Sequence, residues 1–253
     1  MNNQATKELI FGTRPVLEAL HAGKEIEKIL VQKNAMNEAI KNILHLAYTH
    51  HIPVSKVPVE KLNRITRKNH QGVVCYLSSV IYASLDNIVN EKYQSGQSPF
   101  LLMLDRVTDM RNFGAIARTA ECAGVDALIV PAKGGAIINS DAMKTSAGAL
   151  HFIPVCRSEN LKETIIYLKN SGIQVIACTE KTDQLIYEQD FNAPVCLLLG
   201  SEEDGVSPAY LKLADGNVMI HMGGHIASLN VSVAAAIAMY EVVRQRRYFQ
   251  SRQ

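Results

Sequence analysis

The stretch FLLMLDRVTDMRNFGAIARTAECAGVDALIVP, residues 100–131, decides the fold class of this chain. It begins with an apolar run at Leu101–Leu104, continues with helical periodicity over Phe113–Ala123, and ends with a second apolar run at Ala127–Val130. Apolar runs without polar alternation are typical of strands that are covered on both faces. A strand, a helix and a second strand in this order predict two parallel strands joined by a crossover helix.

The same alternation continues toward the C-terminus and predicts an α/β domain with a mostly parallel sheet over residues 99–253. The periodic stretch at Leu161–Lys169 predicts a helix that ends at Gly172, a residue suited to a helix C-terminus. Further strands are predicted at Val175–Cys178, Val195–Leu199 and Val218–Ile220, and a last helix from near Ser228 to about Arg246.

Residues 1–80 carry the pattern of a smaller α/β domain. Ile29–Val31 and Val73–Leu77 are short apolar runs of the strand type, and a helical period covers Ala35–His50. The polar segment that follows, YASLDNIVNEKYQSGQSPF, is typical of a short helix and a linker. We therefore predict a linker at residues 81–98 between two domains.

Composition predicts a soluble protein of the cytoplasm. The 253 residues are 47% hydrophobic and 20% charged, with a formal net charge of +2. No apolar stretch approaches the ~20 residues of a membrane-spanning helix, and the N-terminus lacks the pattern of a signal peptide. The five cysteines are widely spaced and form no C-x-x-C pair, so we expect buried, reduced thiols and no metal site.

Two clusters of basic residues stand out against the small net charge, one around residues 61–70 and one near the C-terminus. Such a cluster can be an ordinary solvated surface, or it can contact the phosphates of a nucleic acid. Few aromatic residues accompany the first cluster, which favours phosphate contact and shape recognition over base stacking. The basic members are Lys61, Arg64, Arg67 and Lys68 beside His70, and Arg244, Arg246, Arg247 and Arg252.

Three loops follow predicted strands, where open parallel sheets place their ligands. Residues 105–114 contain Asn112, a good helix N-cap, and Arg118 lies six residues later; alone, this is also an ordinary capped helix with a surface arginine. Residues 199–208 hold an acidic turn between two glycines, and the carboxylates of this turn would repel phosphate. Residues 220–234 run through two glycines into an alanine-rich helix, a composition typical of close packing.

The order and spacing of these loops resemble the three motifs of the SpoU (TrmH-type) RNA 2′-O-ribose methyltransferases, a family of the SPOUT superfamily. The motifs are NFGAIARTAECAG at 112–124, LLLGSEEDGVS at 197–207 and IHMGGHIASLNVSVAAAIAMYEVVRQR at 220–246. The opening FGTRPVLEAL at 11–20 resembles the ribosomal-protein-like RNA-binding domain of the large-subunit rRNA guanosine methyltransferases of this family. Met110 departs from the family pattern, which often has a proline there, but Asn112, Gly114 and Arg118 stay in register.

The resemblance implies a deep C-terminal trefoil knot, S-adenosylmethionine as the cofactor without a metal, and a homodimer whose sites are completed at the subunit interface. Arg118 leads the implied catalytic group; it either binds a phosphate and stabilises the developing oxyanion, or acts as a base in perturbed surroundings. The other implied catalytic residues are Asn112, Glu202, Ser228 and Asn230. The implied cofactor contacts are Thr179, Leu199, Gly200, Ile220, Met222 and Leu229.

The implied reaction is methylation of a guanosine ribose 2′-hydroxyl in large-subunit (23S-type) rRNA. Lys61, Arg64, Arg67 and Lys68 would contact this RNA from the N-terminal substrate-binding domain. Two alternatives stay open: a tRNA ribose 2′-O-methyltransferase of the same family, and a non-catalytic RNA-binding factor of ribosome assembly. The N-terminal domain favours rRNA, and the complete set of motif residues argues against lost catalysis.

Overall fold

The computed structural model describes residues 9–35, 37–226 and 228–250, the last three by their backbone alone. The chain divides into two compact units. The first comprises the described residues up to Ile81 together with Ile137–Ser140, and the second comprises Tyr82–Ala136 and the chain from Asp141 onward. Among the described residues, no helix is both long and apolar enough to cross a membrane.

The first unit is a four-stranded sheet with three helices. Its strands lie in the order β1-β4-β2-β3, with β4 antiparallel to both neighbours and β3 parallel to β2. The second helix begins later than predicted, because the Asn37 side chain accepts a hydrogen bond from the Ile40 amide and caps it. The elements are β1 (Leu9–Phe11), α1 (Thr13–His21), β2 (Ile26–Gln32), α2 (Glu38–Thr49), β3 (Val54–Val57), α3 (Val59–Ile65) and β4 (Val73–Leu77).

From Tyr82 onward, strands alternate with helices around a six-stranded sheet in the order β10-β8-β9-β5-β6-β7. Every neighbouring pair in this sheet is parallel, which confirms the predicted fold class. Strand order does not record threading, so the trefoil knot stays a prediction. The elements are α4 (Leu85–Gln94), β5 (Phe100–Leu104), α5 (Met110–Ala123), β6 (Ala127–Pro131), α6 (Ser140–Thr145), β7 (Val155–Ser158), α7 (Leu161–Asn170), β8 (Gln174–Cys178), β9 (Val195–Leu199), α8 (Pro208–Leu211), β10 (Gly216–Val218) and α9 (Val231–Gln250).

The segment assigned above to a linker carries α4, which is held against the core of the second unit. Val89 of this helix is 2% exposed among residues of that core, and Tyr167 donates a hydrogen bond to Asp86 at 2.7 Å. The helix begins where the Ser84 hydroxyl accepts a hydrogen bond from the Asn87 amide. Its apolar positions were too few for the sequence pattern to indicate how firmly it packs.

Two helix starts near the motifs differ from the sequence prediction, and the first is that of α9, which begins at Val231 rather than near Ser228. Helix α5 begins at Met110, because the Asp109 carboxylate caps it by accepting bonds from the amides of Arg111 and Asn112. Asn112 is therefore not the cap, and its side chain is available for other contacts. Met110 occupies the first position of this helix, where proline is well tolerated. The proline of the family pattern and the methionine of this chain therefore both fit the same local fold.

The cysteines are only partly as expected. Cys75, Cys156 and Cys196 are buried, and burial raises the pKa of Cys75 and Cys156 to about 12. Cys122, in contrast, is exposed on α5 and Cys178 is partly exposed, which corrects the expectation that all five are buried. Its apolar neighbours in the sequence pack on the other faces of that helix.

Candidate active site

The loops after β5, β8, β9 and β10 meet at one edge of the sheet, because parallel strands end on the same side. The loops after β8, β9 and β10, together with the start of α9, enclose a cavity of about 280 Å³ in the second unit. Apolar side chains of Val218, Val231 and Ala234 form part of its wall. All the predicted cofactor contacts line this cavity: Thr179, Leu199, Gly200, Ile220, Met222 and Leu229.

Gly200 is required by the shape of the loop that follows β9. A β-carbon on Gly200 would lie 1.9 Å from the carbonyl carbon of Gly205 and 2.0 Å from the amide nitrogen of Val206. Ser201 and Gly205 exchange two backbone hydrogen bonds of 3.1 and 3.0 Å, which close the loop on itself. The absent side chain would point at the returning backbone of this loop, so the loop can close only with glycine at this position.

Asp105 and Arg106 hold the far end of this loop in place. The buried Asp105 carboxylate accepts a hydrogen bond of 2.8 Å from the Ser207 amide. The Arg106 guanidinium donates to Asp105 at 3.0 Å and to Asp204 at 2.9 Å, and its hydrogen bond to Asp105 raises the pKa of Arg106. The sequence interpretation missed both residues as positioning groups; an adjacent acid and base directly after a buried strand was the available signal.

Three predicted catalytic residues from three different segments of the chain form one hydrogen-bonded group. The Asn112 side-chain amide donates to Oε1 of Glu202. The Asn230 amide donates to the same oxygen at 3.0 Å and to Oδ1 of Asn112 at 3.1 Å. Asn230 is held in turn by the backbone amide and hydroxyl of Ser232, at 2.9 and 2.6 Å from its Oδ1. We call Asn112, Glu202 and Asn230 the amide–carboxylate group.

The amide–carboxylate group lies between two cavities. A second cavity of about 240 Å³ is lined by Asn112, Asp109 and the side of Arg106 that faces the acidic loop. It shares Ser201, Glu202 and Glu203 with the first cavity. Because Glu202 lines both cavities, a molecule in one of them would be next to a molecule in the other. Such an arrangement suits transfer of a group between two bound partners.

Ser228 and Arg118 stand apart from the amide–carboxylate group. Ser228 lines the first cavity. Arg118 is exposed on α5, lines neither cavity, and has no hydrogen bond or ion pair to any residue within the described ranges. Three of the five predicted catalytic residues thus line the cavities, Asn230 is hydrogen-bonded to two of them, and Arg118 lies outside.

The two basic clusters have different environments. Lys61, Arg64, Arg67 and Lys68 are all exposed, on α3 or in the turn that follows it. His70 is 8% exposed; it accepts a hydrogen bond from the Gly72 amide and pairs with Asn63, so it is a structural residue.

The C-terminal cluster also contains structural residues. Arg246 donates to the backbone carbonyl oxygens of Ser98, Phe191 and Ala193, and Arg244 pairs with the buried Glu241. Arg252 lies outside the described residues. Arg244 and Arg246 therefore stabilise the packing of α9, whereas Arg247 is exposed.

Comparison with known proteins identifies both parts of the chain. Residues 99–240 match the SpoU rRNA Methylase family, and residues 9–83 match the family described as RNA 2′-O ribose methyltransferase substrate binding. A putative TrmH family tRNA/rRNA methyltransferase of Staphylococcus saprophyticus is 36% identical over 95% of this chain and 96% of its own length.

Two solved structures extend this comparison. An AdoMet-bound rRNA methyltransferase of Sinorhizobium meliloti is 25% identical, with a TM-score of 0.60, over 94% of this chain and 87% of that one. A TrmH/SpoU tRNA modifying enzyme of A. aeolicus is 29% identical, with a TM-score of 0.56, over 64% of this chain and 86% of that one.

A parallel α/β sheet with its cavities at the carboxyl edge, in a chain that also carries a separate substrate-binding unit, defines an RNA methyltransferase of two units. The chain belongs to the SpoU rRNA Methylase family, within the group also named TrmH.

Proposed function

We propose that this protein transfers a methyl group from S-adenosylmethionine to the ribose 2′-hydroxyl of a guanosine in large-subunit (23S-type) rRNA. The observation that carries the proposal is the amide–carboxylate group at the boundary between the two cavities. The cofactor would occupy the first cavity and the target nucleotide the second.

The first cavity has the properties that S-adenosylmethionine requires. Within the described part of the chain, no backbone hydrogen bond joins Ile220, Met222 or Leu229 to another backbone group. These amides and carbonyls are therefore available to a nucleoside, while Val218 and Val231 supply apolar wall for its base. The cofactor, when bound, supplies a methyl group on a positively charged sulfur.

The amide–carboxylate group would position the ribose. Asn112 and Asn230 both donate to Oε1 of Glu202, so the second carboxylate oxygen remains able to accept a hydrogen bond from the ribose hydroxyl. That bond would aim the hydroxyl oxygen at the first cavity. Ser228, on the wall of that cavity, would form a hydrogen bond near the same hydroxyl. Alignment of the reacting atoms is a large part of the catalysis available to such a site.

Arg118 would complete the site of a second copy of the chain. It is exposed and outside the cavities of its own copy, and Val233 and Tyr240 are 47% and 50% exposed on the same face of α9, a helix that packs against α5. Exposed apolar side chains that lie together on one helix face are buried when a second copy of the chain covers them. We therefore propose a homodimer in which Arg118 of one subunit reaches the active site of the other. There it would bind the RNA phosphate next to the target ribose and stabilise the negative charge that develops on the ribose oxygen.

The first unit, corresponding to the predicted domain at residues 1–80, would bind the RNA substrate. Its match to a substrate-binding family supports this role. The choice of rRNA is supported by coverage: the rRNA methyltransferase of Sinorhizobium meliloti matches 94% of the chain, whereas the tRNA modifying enzyme of A. aeolicus matches 64%.

A test of the reaction compares rRNA from cells with and without the gene, using 2′-O-methyl mapping. We expect one guanosine of the large-subunit rRNA to lose its methyl group in cells without the gene. The purified protein should bind S-adenosylmethionine in titration calorimetry and restore that methyl group. A change confined to tRNA would support the tRNA alternative. An unchanged RNA population together with no cofactor binding would indicate a non-catalytic assembly factor.

Salt dependence tests the role of Lys61, Arg64, Arg67 and Lys68. Each phosphate contact should contribute roughly −0.7 to −0.9 to the slope of log affinity against log salt. Replacing all four with alanine should weaken rRNA binding and make the slope less steep by up to about 3, measured by filter binding at several salt concentrations. Cofactor affinity should stay the same, because these residues do not line the cofactor cavity.

A variant with alanine in place of Lys24 and Lys41 is the control for net charge, because both lysines are exposed elsewhere in the same unit. The cluster is an ordinary solvated surface if the change in salt slope per removed charge is the same in both variants. The same conclusion follows if neither variant changes the salt slope.

A further inference from the structure

The sheet of the first unit has one face that its helices cover only in part. On the face packed against α1 and α2, Ile29, Val31 and Val73 are fully or almost fully buried. On the opposite face, Leu62 of α3 covers a small apolar cluster with Leu30, Val57 and Val74. The rest of that face carries Leu9, Phe11 and Tyr76, which are only partly buried.

Two lysines lie over the aromatic rings of this open face. The Nζ atom of Lys28 is 5.1 Å from the centre of the Tyr76 ring, and that of Lys68 is 5.9 Å from the centre of the Phe11 ring. Strand register explains the first pair, because Lys28 on β2 lies opposite Tyr76 on β4. The second pair joins residues 57 positions apart in the sequence, which no local pattern could indicate.

Lys61 belongs to the same surface. Burial lowers the pKa of Lys28; Glu27 opposes this shift and Lys61 adds to it, so the two lysines are within electrostatic reach of each other. Arg64 follows Lys61 by one turn of α3 and is exposed. We call Phe11, Lys28, Lys61, Lys68 and Tyr76 the aromatic–lysine face.

We propose that the aromatic–lysine face binds an unpaired segment of the RNA substrate. Bases replace the ammonium groups of Lys28 and Lys68 on the Tyr76 and Phe11 rings. The displaced lysines, together with Lys61, contact the phosphates. This rests on the RNA-modifying function proposed above and replaces the sequence-based preference for phosphate contact without stacking. Every base has a flat aromatic surface, so this mode tolerates many sequences. A positively charged surface matches the phosphate backbone, and the bases of a duplex are stacked on each other and unable to reach these rings.

The test compares wild-type full-length protein with a variant carrying Phe11→Leu and Tyr76→Leu. Leucine keeps much of the buried apolar area of each residue and removes the aromatic ring. Affinity for a short oligouridine strand, measured by fluorescence anisotropy, should fall about fivefold for each ring removed, the lower end of the usual stacking contribution. Affinity for an RNA duplex of the same length should stay the same, and the salt slope should not change because the lysines remain.

Tyr48→Leu is the matched control, because Tyr48 is 83% exposed on α2, which packs on the other side of the sheet. Cross-linking of wild-type protein to a strand that contains 4-thiouridine gives a measurement that needs no variant. We expect adducts in β1 or β4. Adducts only elsewhere, or equal losses for single strand and duplex, would overturn the proposal.

A change in sedimentation mass in the Phe11→Leu and Tyr76→Leu variant would show a contact between protein copies and would also overturn it. Failure here is distinguishable from failure of the proposed function. If S-adenosylmethionine binds and rRNA is methylated while the oligouridine affinity stays at the wild-type value, only the aromatic–lysine face is wrong. If no cofactor binds, the proposed reaction is wrong.

Discussion

Replacing Arg118 with alanine is expected to lower the rate of methyl transfer by a factor of about 100 or more, the usual effect of losing one oxyanion-stabilising group. The ribose oxygen becomes negatively charged as its proton leaves, and a fixed guanidinium would offset that charge. Cofactor affinity should not change, because Arg118 does not line the cavity that would hold S-adenosylmethionine. Single-turnover methylation of target rRNA measures the rate, and titration calorimetry measures the affinity.

Mixing two inactive variants tests whether Arg118 acts in the partner's site. In a mixture of Arg118→Ala and Glu202→Gln, half of the dimers would be mixed and each would contain one complete site, restoring about a quarter of the wild-type activity. No restoration would place Arg118 in its own subunit's site or outside catalysis. Arg111→Ala is the control, since Arg111 is exposed on the same helix and lines neither cavity.

Replacing Gly200 with valine is expected to lower the affinity for S-adenosylmethionine roughly 100-fold, the loss of a few hydrogen bonds. The valine side chain would collide with the backbone of Gly205 and Val206 and push apart the loop that closes there. The displaced loop would move the backbone at Gly200 and the carboxylate of Glu202 together. Calorimetry measures the affinity, and circular dichroism shows whether the protein is still folded.

Gly224→Val is the matched control for this prediction. Gly224 lies in the loop between β10 and α9, and a β-carbon there would meet no atom of the described chain within 4 Å. We expect its cofactor affinity to stay close to that of the wild type. Unchanged binding in a folded Gly200→Val protein would contradict both the cofactor assignment and the importance of the loop closure.

Local sequence patterns were most informative for the parallel sheet. Val195–Leu199 is an uninterrupted apolar run, and the structure has a fully buried strand over the same residues. A strand covered on both faces needs apolar side chains at every position, so its pattern is visible in the sequence itself. Helix starts were less reliable: Asp109 and Asn112 are both good caps, and only the structure shows that Asp109 is the one used.

Charge was a poor guide to where basic residues lie. Arg246 and Lys68 look alike in the sequence, yet Arg246 points to backbone carbonyls and Lys68 lies over the Phe11 ring. The positive charge of an arginine can satisfy buried carbonyl oxygens as readily as it can contact RNA. The difference depends on which segment of the chain packs nearby.

The sequence by itself determined the fold class, the motifs and the family, because these depend on residues close together in the chain. Only the tertiary structure decided that Asn112, Glu202 and Asn230 share hydrogen bonds and that Arg106 holds the acidic loop through Asp204. Only the tertiary structure also placed lysines over Phe11 and Tyr76. The physical reason is that periodicity and capping act over a few residues, whereas most of these contacts join loops and strands about 50 to 120 positions apart, brought together by strand pairing and core packing.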